Sequence, residues 1–501
     1  MRRGSRNDTS SRVPSSRTSE PPAGGALTPL TPTQRDDIVD HAFNILETIG
    51  MAGTPAPFLD RLIEVGASQR DDGRLTMPRP MVEAALERSP SSVSLPGFVE
   101  DDGLTIGGGA VHIGTGGAAV QSLDATTGRY RDSTLQDLWV MMRVLDESPH
   151  VHYGLRPLVA RDMESSLDLD INTAFAATAA TSKPTGVSFA TAEHVDPVVD
   201  LFDLALGGEG AFSRQPFSMA VVVHVVPPLR FASEGCDIIA RAIDRGMIIQ
   251  TCSAGQAGAT SPASLAGALA QGLAEILAGI VLVDSIRPGH PCIHAFMPFV
   301  SDLRSGAMTG GSGEAAISSA AAAQLLRSLD IPHAVSAGIT DSKVQDNQAG
   351  YEKGYTVALA AHAGADMVQL SVGMLGSIMV ASPESLVIDD DMCGAILRSV
   401  RGVDVRPEYL DLAVTESVVT GDGHFLGHEQ TLQLLRSEYV YPTIGDRASV
   451  AEWVDAGSPE LWAQASARVQ EIVEAGNPGH LPEAHERAIR ERFDIHLEVP
   501  R

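Results

Sequence analysis

The sequence has 501 residues, of which 44% are apolar, and a formal net charge of −27. This length and apolar content suffice for one large domain with additions, or for two domains, around a buried core. The excess of acidic residues makes nucleic acid and anionic membrane surfaces poor partners.

The first 29 residues are rich in Ser, Arg, Pro and Gly and contain no apolar core. We interpret residues 1–29 as a disordered tail rather than a secretory signal. The most membrane-like stretch, residues 265–283, carries Gln271 and Glu275 in its middle, and a central carboxylate is costly in lipid. A buried helix explains this stretch better, and we expect a cytoplasmic protein.

Residues 30–100 are predicted to form a small helical region. Thr31 and Pro32 are typical of a helix start, with Thr as the cap and Pro at the first helical position. Apolar residues then recur at helical spacing until Gly50. Two further helices are predicted near residues 57–65 and 78–88, and nothing in this region indicates a chemical function.

From residue 111 to about residue 380, short apolar runs alternate with Ala-rich helical segments. Eight strands are predicted near residues 111–114, 152–159, 186–190, 219–223, 248–252, 292–296, 333–335 and 367–370. Helices are predicted between most of them, at residues 171–180, 197–205, 236–242, 262–278, 315–329 and 349–363. This alternation indicates a parallel sheet.

Eight near-continuous apolar strands favour an α/β fold in which residues 101–380 form a closed (β/α)8 TIM barrel. An open doubly wound sheet is the alternative, but it would more often show a Gly-x-Gly-x-x-Gly turn after the first strand. The glycines at 107–109 and 114–117 lack that spacing. Residues 381–501 are predicted to be a helical tail packed on the barrel, with helices at 383–400, 407–419, 432–438 and 458–475.

Polar residues are concentrated in residues 336–348, with the sequence SAGITDSKVQDNQ, between the seventh predicted strand and a helix. Asp341, Lys343, Gln345 and Gln348 belong to this stretch. Polar groups at the carboxyl end of a barrel strand are typical of a binding loop on a rigid scaffold. A long solvated turn, with Asn347 as a helix cap, is the alternative.

Other predicted strands also end in candidate binding residues. His224 follows the fourth strand, His294 and Phe296 lie in the sixth, and Gln369 lies in the eighth. Cys292 and His294 share a strand face and are possible zinc ligands together with Cys252 or His224. Because no fourth ligand stands at zinc-like spacing, we expect no metal site.

The loop after the sixth strand carries Arg304 and then four small residues, Gly310, Gly311, Ser312 and Gly313, before a helix. Free backbone amides at such a position can bind an anion. A tight loop that requires glycine explains the same residues equally well.

Three long motifs resemble the trimethylamine methyltransferase family, the MttB superfamily. They are FVSDLRSGAMTGGSGE at 299–314, SAGITDSK at 336–343 with GYEKG at 350–354, and GHFLGH at 423–428. The resemblance runs from about residue 30 to the end of the chain. It implies a TIM barrel that moves a methyl group from a methylamine to the cobalt of a corrinoid (cobalamin) carried by a separate protein.

Some members of this family contain pyrrolysine, which engages tertiary amines. This sequence contains only the twenty standard residues. The resemblance therefore implies a non-pyrrolysine member that acts on a quaternary amine such as glycine betaine and binds no cofactor permanently.

The chemistry agrees with this division of the family. A quaternary ammonium loses a methyl group as a neutral amine, so no general acid is required. Attack by Co(I) removes charge, and a dry site of low dielectric favours such a step. The protein then has to hold the cation in line with cobalt without stabilising it so strongly that the reaction is opposed.

Hypothetical roles follow from the resemblance and from the strand ends. Asp341, near the ammonium, and Lys343 are the candidate catalytic residues, and Lys343 or Arg304 could hold a substrate carboxylate. The candidate substrate-binding residues are His224, His294, Phe296, Arg304, Gln345, Gln348 and Gln369. The candidate corrinoid-facing residues are Gly310, Gly311, Ser312, Gly313 and His424.

Two other functions remain open at this point. A barrel of this kind can present methyltetrahydrofolate to a corrinoid protein, which would be revealed by pterin binding. A barrel that has lost its corrinoid partner could instead bind quaternary amines without turnover. Under the main interpretation the partners are a corrinoid protein and a small methylated amine, and a homo-oligomer is possible.

Overall fold

The computed structural model describes residues 22–99 and 102–498. Eight parallel strands form one sheet: β1 (His112–Ile113), β2 (Gly154–Leu155), β3 (Thr185–Val187), β4 (Ser218–Val223), β5 (Ile249–Ser253), β6 (Cys292–Phe296), β7 (His333–Ser336) and β8 (Met367–Gln369). Each strand pairs with the next along the chain, and β8 pairs with β1. Gly114, just after β1, bridges to Tyr153, just before β2. The sheet therefore closes, which confirms the predicted (β/α)8 barrel over an open sheet.

Helices surround this barrel and extend it at both ends of the chain. They are α1 (Pro32–Thr48), α2 (Ala56–Glu64), α3 (Arg79–Arg88), α4 (Leu135–Asp146), α5 (Ser166–Ala180), α6 (Val195–Ala205), α7 (Ala211–Arg214), α8 (Ser233–Asp244), α9 (Leu265–Ile286), α10 (Gly313–Ser328), α11 (Asn347–Ala363), α12 (Pro383–Val400), α13 (Leu412–Val419), α14 (Glu429–Leu434), α15 (Val450–Asp455), α16 (Leu461–Glu474) and α17 (Glu483–Arg492). One helix after each strand forms the outer ring, namely α4, α5, α6, α8, α9, α10, α11 and α12.

The N-terminal helices cover α9. The Thr31 side chain accepts a hydrogen bond from the Gln34 N–H, and the Gln34 side chain accepts one from the Thr31 N–H, so a capping box starts α1. Helices α1, α2 and α3 pack on α9. By length and apolar composition α9 could span a membrane, but 89% of its most apolar window is buried inside the fold. It is therefore a core helix, enclosed between the barrel and the N-terminal helices.

The predicted disordered tail differs from the structure near its end. The N–H groups of Gly25 and Leu27 both donate to the carbonyl of His362, at 2.8 and 3.0 Å. Residues 22–29 therefore lie against the barrel, held by backbone hydrogen bonds that composition does not reveal. The rest of the predicted tail, residues 1–21, lies outside the described residues.

A short hairpin closes the amino end of the barrel. Strand Val93–Leu95 pairs antiparallel with strand Leu104–Ile106. Leu95 and Ile106 pack in one cluster with Met219, Ile248 and Met367, which lie near the amino ends of the strands. The carboxyl end of the barrel is consequently the end that is open to substrate.

Two small sheets in the loops flank this open end, and the sequence did not predict them. One consists of Gln256–Ala257, Phe299–Ser301 and Met308–Thr309, and the other of Gln121–Leu123, Tyr130–Asp132, Met374–Leu375 and Val380–Ala381. Strands of two or three residues carry too little periodicity to be recognised before their partners are known.

The C-terminal region begins with α12, which has the predicted bounds, and continues with five shorter helices. Helix α16 packs on α12 and α4, and α17 packs on α6. Helix α17 was not predicted. The C-terminal region thus wraps around one side of the barrel ring.

Candidate functional site

Two glutamine side chains form a hydrogen-bonded pair inside the barrel. Gln250 of β5 donates from Nε2 to Gln369 Oε1 of β8 over 2.5 Å, although two strands separate β5 from β8. Both side chains are buried. Gln250 Oε1 accepts no hydrogen bond from any described residue. The pair is a floor of neutral amides with one free acceptor.

Apolar side chains surround this floor towards the open end. Cys252, Met297 and Leu370 pack together inside the barrel, and Phe299 and Ile378 pack beside them while half-buried. Val223, the last residue of β4, is 51% exposed, so solvent reaches the barrel at this point. We call the glutamine pair and these apolar residues the barrel mouth.

Asp341 joins three loops around the barrel mouth. Its Oδ1 accepts from the Gly310 N–H at 2.9 Å and from the Ser377 hydroxyl at 2.7 Å, and its Oδ2 accepts from the Thr309 hydroxyl. Thr309 and Gly310 follow β6, Asp341 follows β7, and Ser377 follows β8. The carboxylate therefore holds the rim of the barrel mouth in one arrangement.

Buried Glu352 on α11 supports the Asp341 loop from below. Its Oε2 accepts from the Thr340 hydroxyl at 2.6 Å and from the Asp341 N–H at 2.8 Å. Its Oε1 accepts from the side-chain amide of Gln348 at 2.9 Å. Gln348 is therefore engaged in supporting the loop.

Gln345 is likewise engaged, in a buried network between α11 and α12. The Ser385 hydroxyl donates to Gln345 Oε1 at 2.6 Å. The fully buried Lys353 donates to Ser385 Oγ at 2.8 Å and to Asp389 Oδ2 at 2.7 Å. Burial raises the pKa of Asp389 against the opposing effect of Lys353. This network fixes α11, which begins directly after the polar stretch, to α12.

Lys343 and Arg304 lie on the outer rim. Lys343 is exposed, and its Nζ donates to the Asp341 carbonyl at 2.6 Å. The Arg304 side chain is 91% exposed and pairs with Asp302 at 2.7 Å, and this arginine lowers the pKa of Asp302 to about 2. Both cations therefore face solvent rather than the floor of the barrel mouth.

His224, His294 and Phe296 do not face the barrel mouth in the structure. His224 Nε2 lies 2.9 Å from the Glu275 carbonyl of α9, and Phe296 packs against Gly272 of the same helix. Burial lowers the pKa of His224 to about 4 and that of His294 to about 3. His294 and Phe296 face the layer between barrel and helices, because side chains alternate along a strand and Ala295 between them faces inward. His224 lies in the same layer, since it contacts α9.

The same alternation separates the possible zinc ligands. Cys252 packs inside the barrel, whereas Cys292 packs in the outer layer. His294 Nδ1 lies 2.9 Å from the Thr251 hydroxyl on the outer side. These side chains do not converge on one point.

The glycine-containing loop at residues 310–313 is shaped by close packing. A Cβ on Gly310 would lie 2.0 Å from Ile339 Cγ2, and a Cβ on Gly311 would lie 2.3 Å from Glu352 Cδ. Ser312 accepts from the Ala315 N–H and caps α10. This geometry favours the interpretation as a tight loop.

His424 lies in the C-terminal region and is exposed. The neighbouring His428 accepts from the Gln430 N–H and caps α14. No hydrogen bond among the described residues joins His424 to the barrel mouth.

Sequence reasoning missed Gln250 and Arg156. Gln250 could have been found, because a polar residue within an apolar strand requires a partner or a ligand. Arg156 directly follows β2 at the carboxyl end of the barrel. Its Nε is buried without a hydrogen-bond acceptor among the described residues, and burial lowers the pKa of its guanidinium while the charge of Asp170 opposes this.

Asp170 itself does not bond to Arg156. Its carboxylate accepts from the Ala190 N–H at 2.8 Å and contacts His194 Nδ1 at 2.7 Å. Arg156 therefore brings a half-buried positive charge to the carboxyl end of β2 without a matched anionic partner in the described chain.

Comparison with known families and proteins gives a consistent result. The family model for trimethylamine methyltransferase (MTTB) matches residues 2–495. A glycine betaine methyltransferase of Desulfitobacterium hafniense (strain Y51) is 30% identical over 448 residues, which are 89% of this chain and 92% of that protein. A trimethylamine methyltransferase of Methanosarcina mazei is 31% identical over 401 residues, 79% of this chain and 80% of that protein.

Among solved structures, the monomethylamine methyltransferase of Methanosarcina barkeri is similar to this chain. The TM-score is 0.49 at 11% sequence identity, with 89% of this chain and 93% of that chain covered.

Proposed function

Because this chain belongs to the trimethylamine methyltransferase family, we propose that it transfers a methyl group from a quaternary amine, such as glycine betaine, to Co(I) of a corrinoid on a separate protein. That the chain is a methyltransferase follows from the family and from the named relatives. The glycine betaine methyltransferase among them supports a quaternary substrate. The neutral floor of the barrel mouth is the structural observation that carries the proposal.

A quaternary ammonium has no N–H to donate and needs no proton on departure. The floor offers it the free amide oxygen of Gln250, with Gln369 as the second amide. A neutral oxygen attracts the cation less strongly than a carboxylate would, so the charged ground state is not held too tightly. The apolar residues around the floor exclude water from the reacting groups.

The reaction is a displacement at a methyl carbon, with the corrinoid as the second substrate. The electron pair of Co(I) forms the cobalt–carbon bond while the carbon–nitrogen bond breaks. Nitrogen keeps that bond's electron pair and departs as a neutral tertiary amine. The chain contributes alignment, through Gln250 and Gln369, and a rigid rim, through Asp341.

Asp341 serves this reaction as a positioning residue in the proposal. Its carboxylate already accepts three hydrogen bonds from two other loops. Lys343 and Arg304 project from the same rim into solvent, where they can meet the incoming corrinoid protein. The rim therefore connects the amine site with the surface on which the second substrate docks.

Arg156 is the proposed partner of a carboxylate on the substrate. Lys343 and Arg304 are not assigned this role, because both face solvent. Arg156 is half-buried, and its buried Nε has no hydrogen-bond acceptor among the described residues. A substrate carboxylate would supply that acceptor and could bind the guanidinium through two hydrogen bonds. The substrate would then be a betaine, which carries both charges, rather than a simple quaternary cation.

Replacement of Arg156 tests this role. In Arg156→Met, KM for glycine betaine should rise at least tenfold, whereas turnover of choline, which lacks a carboxylate, should not fall. Thermal stability should not fall either, because no hydrogen bond within the described chain is lost. An unchanged KM for glycine betaine would remove Arg156 from the site while leaving the proposed reaction intact.

The substrate class is tested by offering the purified protein and Co(I) cobalamin a set of amines. Glycine betaine, carnitine, choline and trimethylamine differ in charge and in the presence of a carboxylate. Methylcobalamin should form from one or more quaternary amines and not from trimethylamine. Formation from trimethylamine alone would contradict a quaternary substrate. We place the reaction in the cytoplasm, in keeping with the burial of the apolar helix α9 inside the fold.

A further inference from the structure

The loop after β8, at residues 370–382, contains an unusual amount of strained backbone. A positive φ is uncommon for residues other than glycine, and it is an outlier for a β-branched side chain. In the described part of the chain seven such residues occur, and three of them lie in this loop: Leu370 (φ +64°), Ser377 (φ +55°) and Ile378 (φ +68°). Strain of this kind clusters at functional sites, so the direction in which these side chains point is informative.

The strained backbone at Leu370 turns its side chain into the barrel. Side chains alternate along a strand, and Gln369, the last residue of β8, already faces inward as part of the floor. By alternation Leu370 would face the helices. It packs instead with Cys252 and Met297 inside the barrel and is 6% exposed. The left-handed conformation therefore gives two successive inward side chains, an amide and then an aliphatic group.

Ile378 reaches the barrel mouth from the later part of the same loop. It is half-buried and packs beside the inner cluster that contains Leu370. Glycine would adopt this conformation without strain, and the loop does use glycine at two other left-handed positions, Gly373 (φ +75°) and Gly376 (φ +55°). An isoleucine at residue 378 therefore brings strain that the path of the chain does not require.

Hydrogen bonds to the loop after β7 hold this turn in place. The Ser377 N–H donates to the Thr340 carbonyl at 2.8 Å, and the Ser377 hydroxyl donates to Asp341 Oδ1 at 2.7 Å. The preceding N–H, of Gly376, donates to a carbonyl of the same loop at 2.7 Å. The turn is thus fixed to the rim, and Ile378 cannot move away from the barrel mouth unless these bonds break.

The loop after β1 makes room for both aliphatic side chains. A Cβ on Gly116 would lie 2.7 Å from Leu370 Cδ2, and a Cβ on Gly117 would lie 3.6 Å from Ile378 Cβ. Leu370 and Ile378 thus lie against two adjacent glycines, and we call this pair the aliphatic wall. Because Leu370 directly follows Gln369, the aliphatic wall adjoins the amide floor.

We propose that Leu370 and Ile378 determine substrate specificity by limiting the size of the alkyl groups on the substrate nitrogen. This inference rests on the proposed function, because it takes a quaternary amine as the occupant of the barrel mouth. An ammonium nitrogen above the floor turns its methyl groups towards the aliphatic wall, which attracts them by dispersion and leaves no space for larger groups. A mobile side chain would move aside for an extra methylene group, and the strained, hydrogen-bonded backbone prevents this.

The first test measures the strain. At residue 378, glycine should give a higher urea midpoint than alanine, because glycine relieves the left-handed strain and alanine does not. The matched pair Ile317→Gly and Ile317→Ala, at an ordinary position in α10, should show the opposite order. If Ile378→Ala is more stable than Ile378→Gly, the backbone at residue 378 is not strained and the proposal is overturned.

The second test measures selectivity through binding, so it does not depend on methyl transfer. Calorimetry on the full chain compares glycine betaine with its analogue in which one N-methyl group is replaced by N-ethyl. Wild type should prefer glycine betaine about tenfold or more, the scale of one methylene group in a fitted pocket. Ile378→Gly should bring the two affinities within about twofold of each other, while Ile317→Gly should keep the wild-type preference.

The outcomes distinguish this inference from the proposed function. An unchanged preference in Ile378→Gly, an equal loss of affinity for both amines in that variant, or binding of neither amine by wild type would overturn the aliphatic wall as the selective element. A shifted preference without methylcobalamin formation from Co(I) cobalamin would support the aliphatic wall and contradict the proposed reaction.

Discussion

At the level of single residues, the carboxylate of Asp341 accepts three hydrogen bonds and so joins its own loop to the loops after β6 and β8. In Asp341→Asn, an NH2 group replaces one carboxylate oxygen and faces hydrogen-bond donors. The loops after β6 and β8 then lose at least one of the hydrogen bonds that hold them to residue 341. Methyl transfer should fall at least tenfold, and the free energy of unfolding should fall by about 1–3 kcal/mol. Turnover and urea unfolding measure the two effects. Asp60→Asn, at an exposed position on α2, serves as the control, and near-normal turnover of Asp341→Asn would remove Asp341 from the site.

The glycines after β6 distinguish close packing from anion binding. Gly311→Ala would place a Cβ 2.3 Å from Glu352 Cδ, whereas a Cβ at Gly313 meets nothing within 4 Å. Gly311→Ala should lower the free energy of unfolding by about 1–3 kcal/mol and reduce turnover, and Gly313→Ala should leave both unchanged. Equal losses of turnover in the two variants, without a loss of stability, would instead favour an anion site.

The orientation and the hydrogen-bond partners of some single residues could not be predicted from the sequence. Cys292, His294 and Phe296 were correctly placed in one strand, but that strand is buried on both faces. With both faces apolar, no alternation distinguishes the inward Ala295 from the outward Phe296. The hydrogen bond from Ser385 to Gln345 joins residues 40 positions apart, so spacing could not reveal it. The bond from Gln348 to Glu352 joins residues four apart on one helix and was open to prediction.

At the level of elements, most helices and all eight barrel strands were found from periodicity and caps. Helix α4 was missed, although it buries Leu, Trp, Met and Val side chains along its length. It is connected to the C-terminal region through Asp146, which contacts Arg143 and His480 at 3.0 Å and accepts from the Ser182 N–H at 2.9 Å.

The low pKa of the Asp146 carboxyl predicts that the free energy of unfolding depends on pH. Burial alone raises the pKa of its carboxyl, but hydrogen bonds from His480 and Ser182 outweigh burial, and the net pKa lies well below the ordinary value. Since the folded pKa is lower than the unfolded value of about 3.9, this carboxylate stabilises the fold above pH 4 and loses that contribution as the pH falls further. The free energy of unfolding of Asp146→Asn at pH 7 should therefore be about 2–4 kcal/mol lower than that of wild type.

Urea unfolding of wild type and Asp146→Asn at pH 7 and pH 3 measures this effect. The difference between the two proteins should narrow at the lower pH, because the Asp146 carboxyl is largely protonated in the unfolded wild type at pH 3 but still ionised in the folded protein, so proton uptake favours unfolding. A difference that is the same at both pH values would show that the charge of Asp146 is not what stabilises this contact.

At the level of the whole molecule, the alternation of strands and helices predicted a closed barrel, and the pairing of Gly114 with Tyr153 confirms it. The open end was predictable as well, since parallel strands present their carboxyl ends together. The glutamine floor was not predictable, because it depends on two side chains 119 residues apart.

The proposed reaction depends most on a neutral, apolar barrel mouth that lets Co(I) take a methyl group from a quaternary nitrogen. The direct measurement is the absorbance of methylcobalamin when Co(I) cobalamin and glycine betaine are mixed with the protein, together with the amount of dimethylglycine formed. We expect the two products in equal amounts, with a rate that falls at least tenfold in Gln250→Leu. If no quaternary amine yields methylcobalamin, or if the rate is unchanged in Gln250→Leu, the proposed reaction is contradicted.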